Sequence, residues 1–200
     1  MLRSPYLWLA LSLLTLFGLS AFAPPEKTLG TNARVVYLHG VWVWAALAAF
    51  LAAALAGLAG LMTRRTEYHL WSRSLGRTGL VFWIMYLPVS MWAMQANWNG
   101  LFLAEPRWRL AMIYAIAGLL IQVGLTLLQN PVWASVTNLT YFAAMLISLQ
   151  ATENVMHPPS PILNSNVPRI QIYFAALFLL ALIAAWQAAR IWYSLERRQA

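Results

Sequence analysis

The 200-residue chain contains no cysteine, no aspartate and one lysine, and only 9% of its residues are charged. Without cysteine it can form no disulfide, no thiolate metal ligand and no thioether-linked cofactor, so cysteine usage cannot reveal the redox compartment. Without aspartate, and with five glutamates, few carboxylates remain for acid–base or metal chemistry. A soluble domain carries about 25% charged residues. At 62% hydrophobic, this chain reads instead as one solvated mainly by lipid.

Six apolar runs cover most of the sequence, at residues 7–23, 35–62, 79–96, 110–128, 132–150 and 170–191. A helix needs about 20 apolar residues to cross the hydrocarbon core of a bilayer. The expected fold is therefore all-α, a polytopic membrane protein built as one domain of six transmembrane helices. Gln129, Asn130 and Pro131 leave room only for a tight turn between antiparallel neighbours. Pro88 should kink the third span. Ala49, Ala53 and Gly57, four residues apart, should let another helix approach closely.

The net charge of +8 does not point to nucleic acid, because the arginines sit at the ends of apolar runs rather than on one polar face. With the N-terminus inside, Arg3, Arg64, Arg65, Arg73, Arg77, Arg190, Arg197 and Arg198 fall in the cytoplasm. Lys27, Arg34, Arg107, Arg109 and Arg169 fall outside. This bias predicts a bacterial-type inner-membrane protein with both termini in the cytoplasm. Ala21-Phe22-Ala23 resembles a signal-cleavage site, but the long run before it and the prolines after it favour a retained helix.

In that orientation three features face outward. His39 lies in VVYLHGVWVW at the mouth of the second span, and His157 lies in ENVMHPPSP after the fifth. Between them in sequence runs WNGLFLAEPRWR, residues 98–109. An isolated histidine at a membrane interface is unremarkable, and for His39 and His157 an interfacial and a ligating role both remain open. Met156 could compete with His157 as an axial ligand. His69, among Arg64, Arg65, Arg73 and Arg77, reads as a solvated cytoplasmic residue.

Other chemistries fit poorly. No HExxH or cysteine pair supplies the three or four protein ligands of a zinc site, and no GxSxG marks a hydrolase. Nearly every ionisable group falls in a loop or at a span end, so the helices should lack the buried charges that ion- or proton-coupled transport needs. Two imidazoles with aromatic surface suit haem, whose iron takes axial histidine and whose propionates pair with arginine.

The arrangement resembles the CcmC-type haem-handling proteins of the CcmC/CcsA cytochrome c assembly family, over essentially the whole chain. His39 in YLH and His157 in VMHPP match that family's two external histidines. Trp98 matches the first residue of its tryptophan-rich loop and Phe102 a later aromatic position. Glu105 replaces its aspartate, Arg107 matches its arginine, and Leu101 and Ala104 fall where tryptophans are expected. The resemblance implies haem b, held non-covalently by axial His39 and His157 and presented at the outer face. It implies a haem chaperone and ABC transporter subunits as partners, in contact with membrane lipid and without nucleic acid. It implies transfer rather than enzymatic catalysis. The alternative is a diverged paralogue, a non-haem structural subunit of a larger membrane complex.

Overall fold

The computed structural model describes residues 4–153, 162 and 165–198. Six helices follow one another: α1 Pro5–Ala21, α2 Ala33–Thr63, α3 Thr66–Trp98, α4 Pro106–Leu128, α5 Pro131–Ala151 and α6 Pro168–Glu196. Four of them begin with proline. Its fixed φ suits the first turn, and its missing N–H would have had no helical partner there. Three helices stop on a non-glycine residue in the left-handed region, Arg64, Asn99 and Gln129. After Gln129, the Asn130 side chain accepts from Val132 N at 3.0 Å and opens α5, completing the expected tight turn.

The helices α2 to α6 are long and apolar enough to cross a membrane, whereas α1 has 17 residues and is shorter. The chain is thus a multi-pass helical membrane protein. On α4, Ile113, Ile116, Leu120, Val123 and Leu127 recur every three or four residues and are all more than half exposed. Such a stripe would be a liability in water and is the natural face toward lipid.

The hub is α2, which touches α1, α3, α5 and α6. Its small residues are what permit this. Ala53 is fully buried, and its carbonyl accepts from Ser72 Oγ on α3 at 2.8 Å. A Cβ added at Gly57 would lie 2.9 Å from the Ser135 carbonyl of α5. Close backbone approach, with hydroxyls and an amide bridging the helices, substitutes for the hydrophobic driving force that lipid removes. Asn138 continues the seam by donating to the Ser72 carbonyl at 2.8 Å.

Two expectations need correction. His69 is not solvated: it is 5% exposed, and its Nδ1 lies 2.6 Å from Ser135 Oγ. The reason is that α3 starts at Thr66 rather than near Gly79, which places His69 inside a packed helix facing Gly60. Nor do the helices lack buried charges. Arg73 on α3 is 8% exposed and pairs with Glu196 at 3.0 Å. Arg77 also pairs with Glu196. The shared Glu196 carboxylate offsets part of their charge, which helps these polar residues extend the helix past its apolar run.

Cross-links between helix ends define two faces of the bundle. At the His39 end, Asn32 Nδ2 on the loop before α2 donates to Ala96 O of α3 at 2.6 Å. Tyr173 Oη of α6 donates there to Leu19 O of α1 at 2.7 Å. The Glu196 end carries the Arg73 and Arg77 pairs and the His69–Ser135 contact. Consecutive helices run in opposite directions between the two ends.

Candidate functional site at the His39 end

His39 occupies the second turn of α2, where the side chain is half-buried. At a rise of about 1.5 Å per residue it sits roughly 9 Å from the start of its helix. Its ring meets Tyr86 of α3 edge-on, with centroids 5.6 Å apart and planes at 60°. Tyr86 in turn meets Trp83 at 4.9 Å, and Trp83 Nε1 donates to Ala111 O of α4 at 3.0 Å. The imidazole is thus backed by an aromatic wall that is itself bonded to the next helix.

The loop between α3 and α4 brings Glu105 to this end of the bundle. Glu105 is the N-cap of α4, and its Oε2 accepts from Trp108 N at 2.6 Å. This satisfies one of the donors a helix start leaves open and places negative charge at the positive end of the helix dipole. Arg107 does not pair with Glu105. It spans to the end of α5, donating from Nη2 to Leu149 O at 3.0 Å and from Nε to Thr152 O at 3.3 Å. The acid-x-Arg pair is therefore engaged in closing two helix ends.

Trp98 is the last residue of α3 and is half-buried. Phe102 is 41% exposed, beside Leu101 and Leu103 of similar exposure. The structure thus brings His39, Trp98, Phe102, Glu105 and Arg107 to one end of the bundle. His157 lies outside the described residues. Ile162, five positions further along, does return to the site, its side chain 3.7 Å from where a Cβ on Gly40 would stand.

Some features of this end could not be seen in sequence spacing. Tyr37 Oη, Asn97 Oδ1 and Trp108 Nε1 are buried and make no hydrogen bond among the described residues. An unpaired buried polar atom costs about 1–3 kcal/mol, so three at one end call for a polar occupant or ordered water. Arg169 on α6 is exposed and within electrostatic reach of Tyr37. The signal for Trp108 was an indole in the quoted loop. Tyr86 could be found only from the antiparallel register of α2 and α3.

Further from the histidine, Glu26 folds its own turn by accepting from Thr28 N at 2.8 Å and Leu29 N at 2.9 Å. These backbone donors, Leu29 first, hold its carboxyl below the ordinary value. No group of three or more His, Cys, Asp or Glu side chains is gathered for a metal ion among the described residues.

These features define an aromatic, partly polar cluster at one end of a helical membrane protein. No family model matches the chain, and no curated protein matches it.

Proposed function

We propose that the chain binds haem non-covalently at the His39 end and presents it at the outer membrane face during c-type cytochrome biogenesis. The observation that carries this reading is the half-buried imidazole of His39 against Tyr86, which Trp83 backs, beside buried polar atoms without partners among the described residues. The residues fit the group: an imidazole for an axial bond, ring faces for the macrocycle, and cations at the rim for the propionates. His39 and His157 are the proposed axial ligands, with Trp98 and Phe102 proposed to flank the macrocycle.

Arg107 already holds two carbonyls of α5, so we assign the propionate contact to exposed Arg169 rather than to Arg107. Haem would bring an iron able to exchange axial ligands, which is the chemistry that a transfer step needs. The contribution of the chain is to orient the imidazole from a rigid helix, to cover one side with aromatic rings and to leave the other side open. A haem chaperone would take up the ligand, and ABC transporter subunits would complete the assembly in the inner membrane, with both termini of this chain in the cytoplasm. No enzymatic step is assigned to these residues.

One observation favours a second reading, a non-haem structural subunit of a larger membrane complex. Glu105 and Arg107, the acid-x-Arg pair of the signature loop, are engaged in capping α4 and closing α5. The two readings separate in an absorption spectrum of the detergent-purified protein, oxidised and reduced. A six-coordinate b-type spectrum that is lost in the His39→Ala, His157→Ala double variant supports haem presentation. A stable protein that never takes up haem and co-purifies stoichiometrically with other subunits supports the structural role.

A further inference from the structure

Asn99 ends α3 in the left-handed region, with φ 53° and ψ 37°, and it is exposed. Gly100 follows it. The turn before Asn99 is held from outside, because the Ala96 carbonyl accepts from Asn32 Nδ2 at 2.6 Å. After Asn99 the restraint stops. The backbone N–H of Gly100 makes no hydrogen bond to the backbone of another described residue. A Cβ placed on Gly100 would meet nothing closer than 3.6 Å.

Asparagine is a thermolabile residue, because the next backbone nitrogen can close a five-membered ring on its side-chain amide. Closure needs an N–H on that nitrogen, freedom for it to move, and no bulky side chain in its path. Asn99–Gly100 meets these conditions, and the other described asparagines do not. Pro131, after Asn130, has no N–H. The N–H of Val167, after Asn166, is bonded to Ser165 Oγ at 3.2 Å. That of Ala33, after Asn32, is bonded to the Gly30 carbonyl at 3.4 Å. The nitrogens after Asn97 and Asn138 lie within α3 and α5, where the helix holds them.

We propose that Asn99 is a site of spontaneous modification whose only co-reactant is water. The Gly100 nitrogen attacks Cγ of Asn99, the Cγ–Nδ2 bond breaks, and ammonia leaves with the proton of the peptide nitrogen. Water then opens the resulting succinimide at either carbonyl, giving aspartate or isoaspartate. Ring closure requires Asn99 to turn about its Cα–C bond. That turn takes a non-glycine residue out of the left-handed region, which is unfavourable for L side chains. Either product places a carboxylate at the negative end of the α3 dipole, and isoaspartate adds one carbon to the backbone between Trp98 and Phe102. The reaction does not depend on haem.

The test incubates the folded full chain in detergent, in mildly alkaline buffer made with heavy-oxygen water, and then digests it briefly in acid for tandem mass spectrometry. Asn99 should exchange its amide nitrogen for one heavy oxygen sooner than any other described asparagine. It should give two isomeric peptides, one aspartyl and one isoaspartyl. Gly100→Ala fits the open space beside Gly100 and should keep helicity and Tm while losing most of the conversion. Asn99→Gln should lose it entirely, since a larger ring closes less readily. No conversion at Asn99 in the folded protein, an equal pace at the other described asparagines, an aspartyl product alone, or an unchanged rate in Gly100→Ala overturns the proposal.

Discussion

Arg107 at the start of α4 holds Leu149 at the end of α5, its Nη2 donating to the Leu149 carbonyl at 3.0 Å. Carbonyls in the last turn of a helix have no intrahelical donor, and a guanidinium there also complements the negative end of the helix dipole. Arg107→Ala should therefore destabilise the protein without haem by about 1–2 kcal/mol. Glu105→Ala should lose about 1 kcal/mol as the N-cap of α4 is removed, and Glu105→Asp should recover most of it. Thermal unfolding in detergent without added haem checks these values. Loss of haem binding with no loss of stability in Arg107→Ala would mean that the arginine serves the ligand instead.

The contact between His69 and Ser135 predicts a different pattern. Ser135→Ala leaves a buried imidazole nitrogen without its hydroxyl and should cost about 1–3 kcal/mol. At Gly60 an added Cβ would stand 2.7 Å from His69 Nδ1, so Gly60→Ala should be destabilising by a similar amount through overpacking. In the double variant Gly60→Ala, His69→Ala the methyl group gains room. A smaller loss there than the sum of the two single losses confirms that they share one space, and strict additivity argues against it.

Trp108 separates a ligand contact from simple packing. Trp108→Phe removes the buried Nε1 donor, which has no partner among the described residues, and should leave stability without haem unchanged or slightly raised. If haem or a bound water accepts from that N–H, haem affinity should fall about 10-fold, the equivalent of one hydrogen bond of roughly 1.4 kcal/mol. Ala104→Trp, on the exposed part of the loop, should tighten binding through added ring surface. Haem titration of the two variants is the measurement. Indifference to both changes would remove the loop and Trp108 from the haem site.

Leu101 is 49% exposed at the His39 end, and Arg198 is exposed at the Glu196 end. Single cysteines placed at the two positions should react with a membrane-impermeant maleimide from opposite faces of oriented vesicles. The proposed orientation requires Leu101→Cys to label from outside and Arg198→Cys from the cytoplasm. The reverse pattern would place the His39 end in the cytoplasm and exclude outer-face presentation.

Glu26 gives a pH dependence confined to its own turn. Its folded-state pKa is lowered, so the stability it adds is fully present above the unfolded value of about 4.3 and disappears as pH falls through the lower folded value. Amide exchange at Thr28 and Leu29 should accelerate below about pH 4. In Glu26→Gln the same amides should exchange faster at neutral pH, and little further acceleration should follow on acidification.

Much of the helical plan was legible in the chain because apolar run length, proline placement and turn residues act locally. The tight turn at Gln129–Asn130–Pro131 and the small-residue face of α2 needed no partner to be recognised. The first third of α3 was hidden. Residues 66–78 carry His69, Arg73 and Arg77, and their polarity reads as a loop until Ser135 and Glu196, distant in sequence, are brought alongside. At the candidate site His39 stood out in its aromatic setting, but Tyr86 did not. A tyrosine inside an apolar run has no signature until the register of two antiparallel helices decides what it faces.

The sequence by itself determined that the chain is helical, that it is solvated by lipid and where most of its helices begin and end. Each of these follows from the polarity and backbone preferences of neighbouring residues. Only the tertiary structure decided that Arg107 closes α5 instead of meeting Glu105, that His69 is sealed against Ser135, and that Arg73 and Arg77 share Glu196. Those pairings join residues far apart in the chain. Polar groups excluded from water must find partners wherever packing places them, and the packing of six helices depends on all of their faces at once.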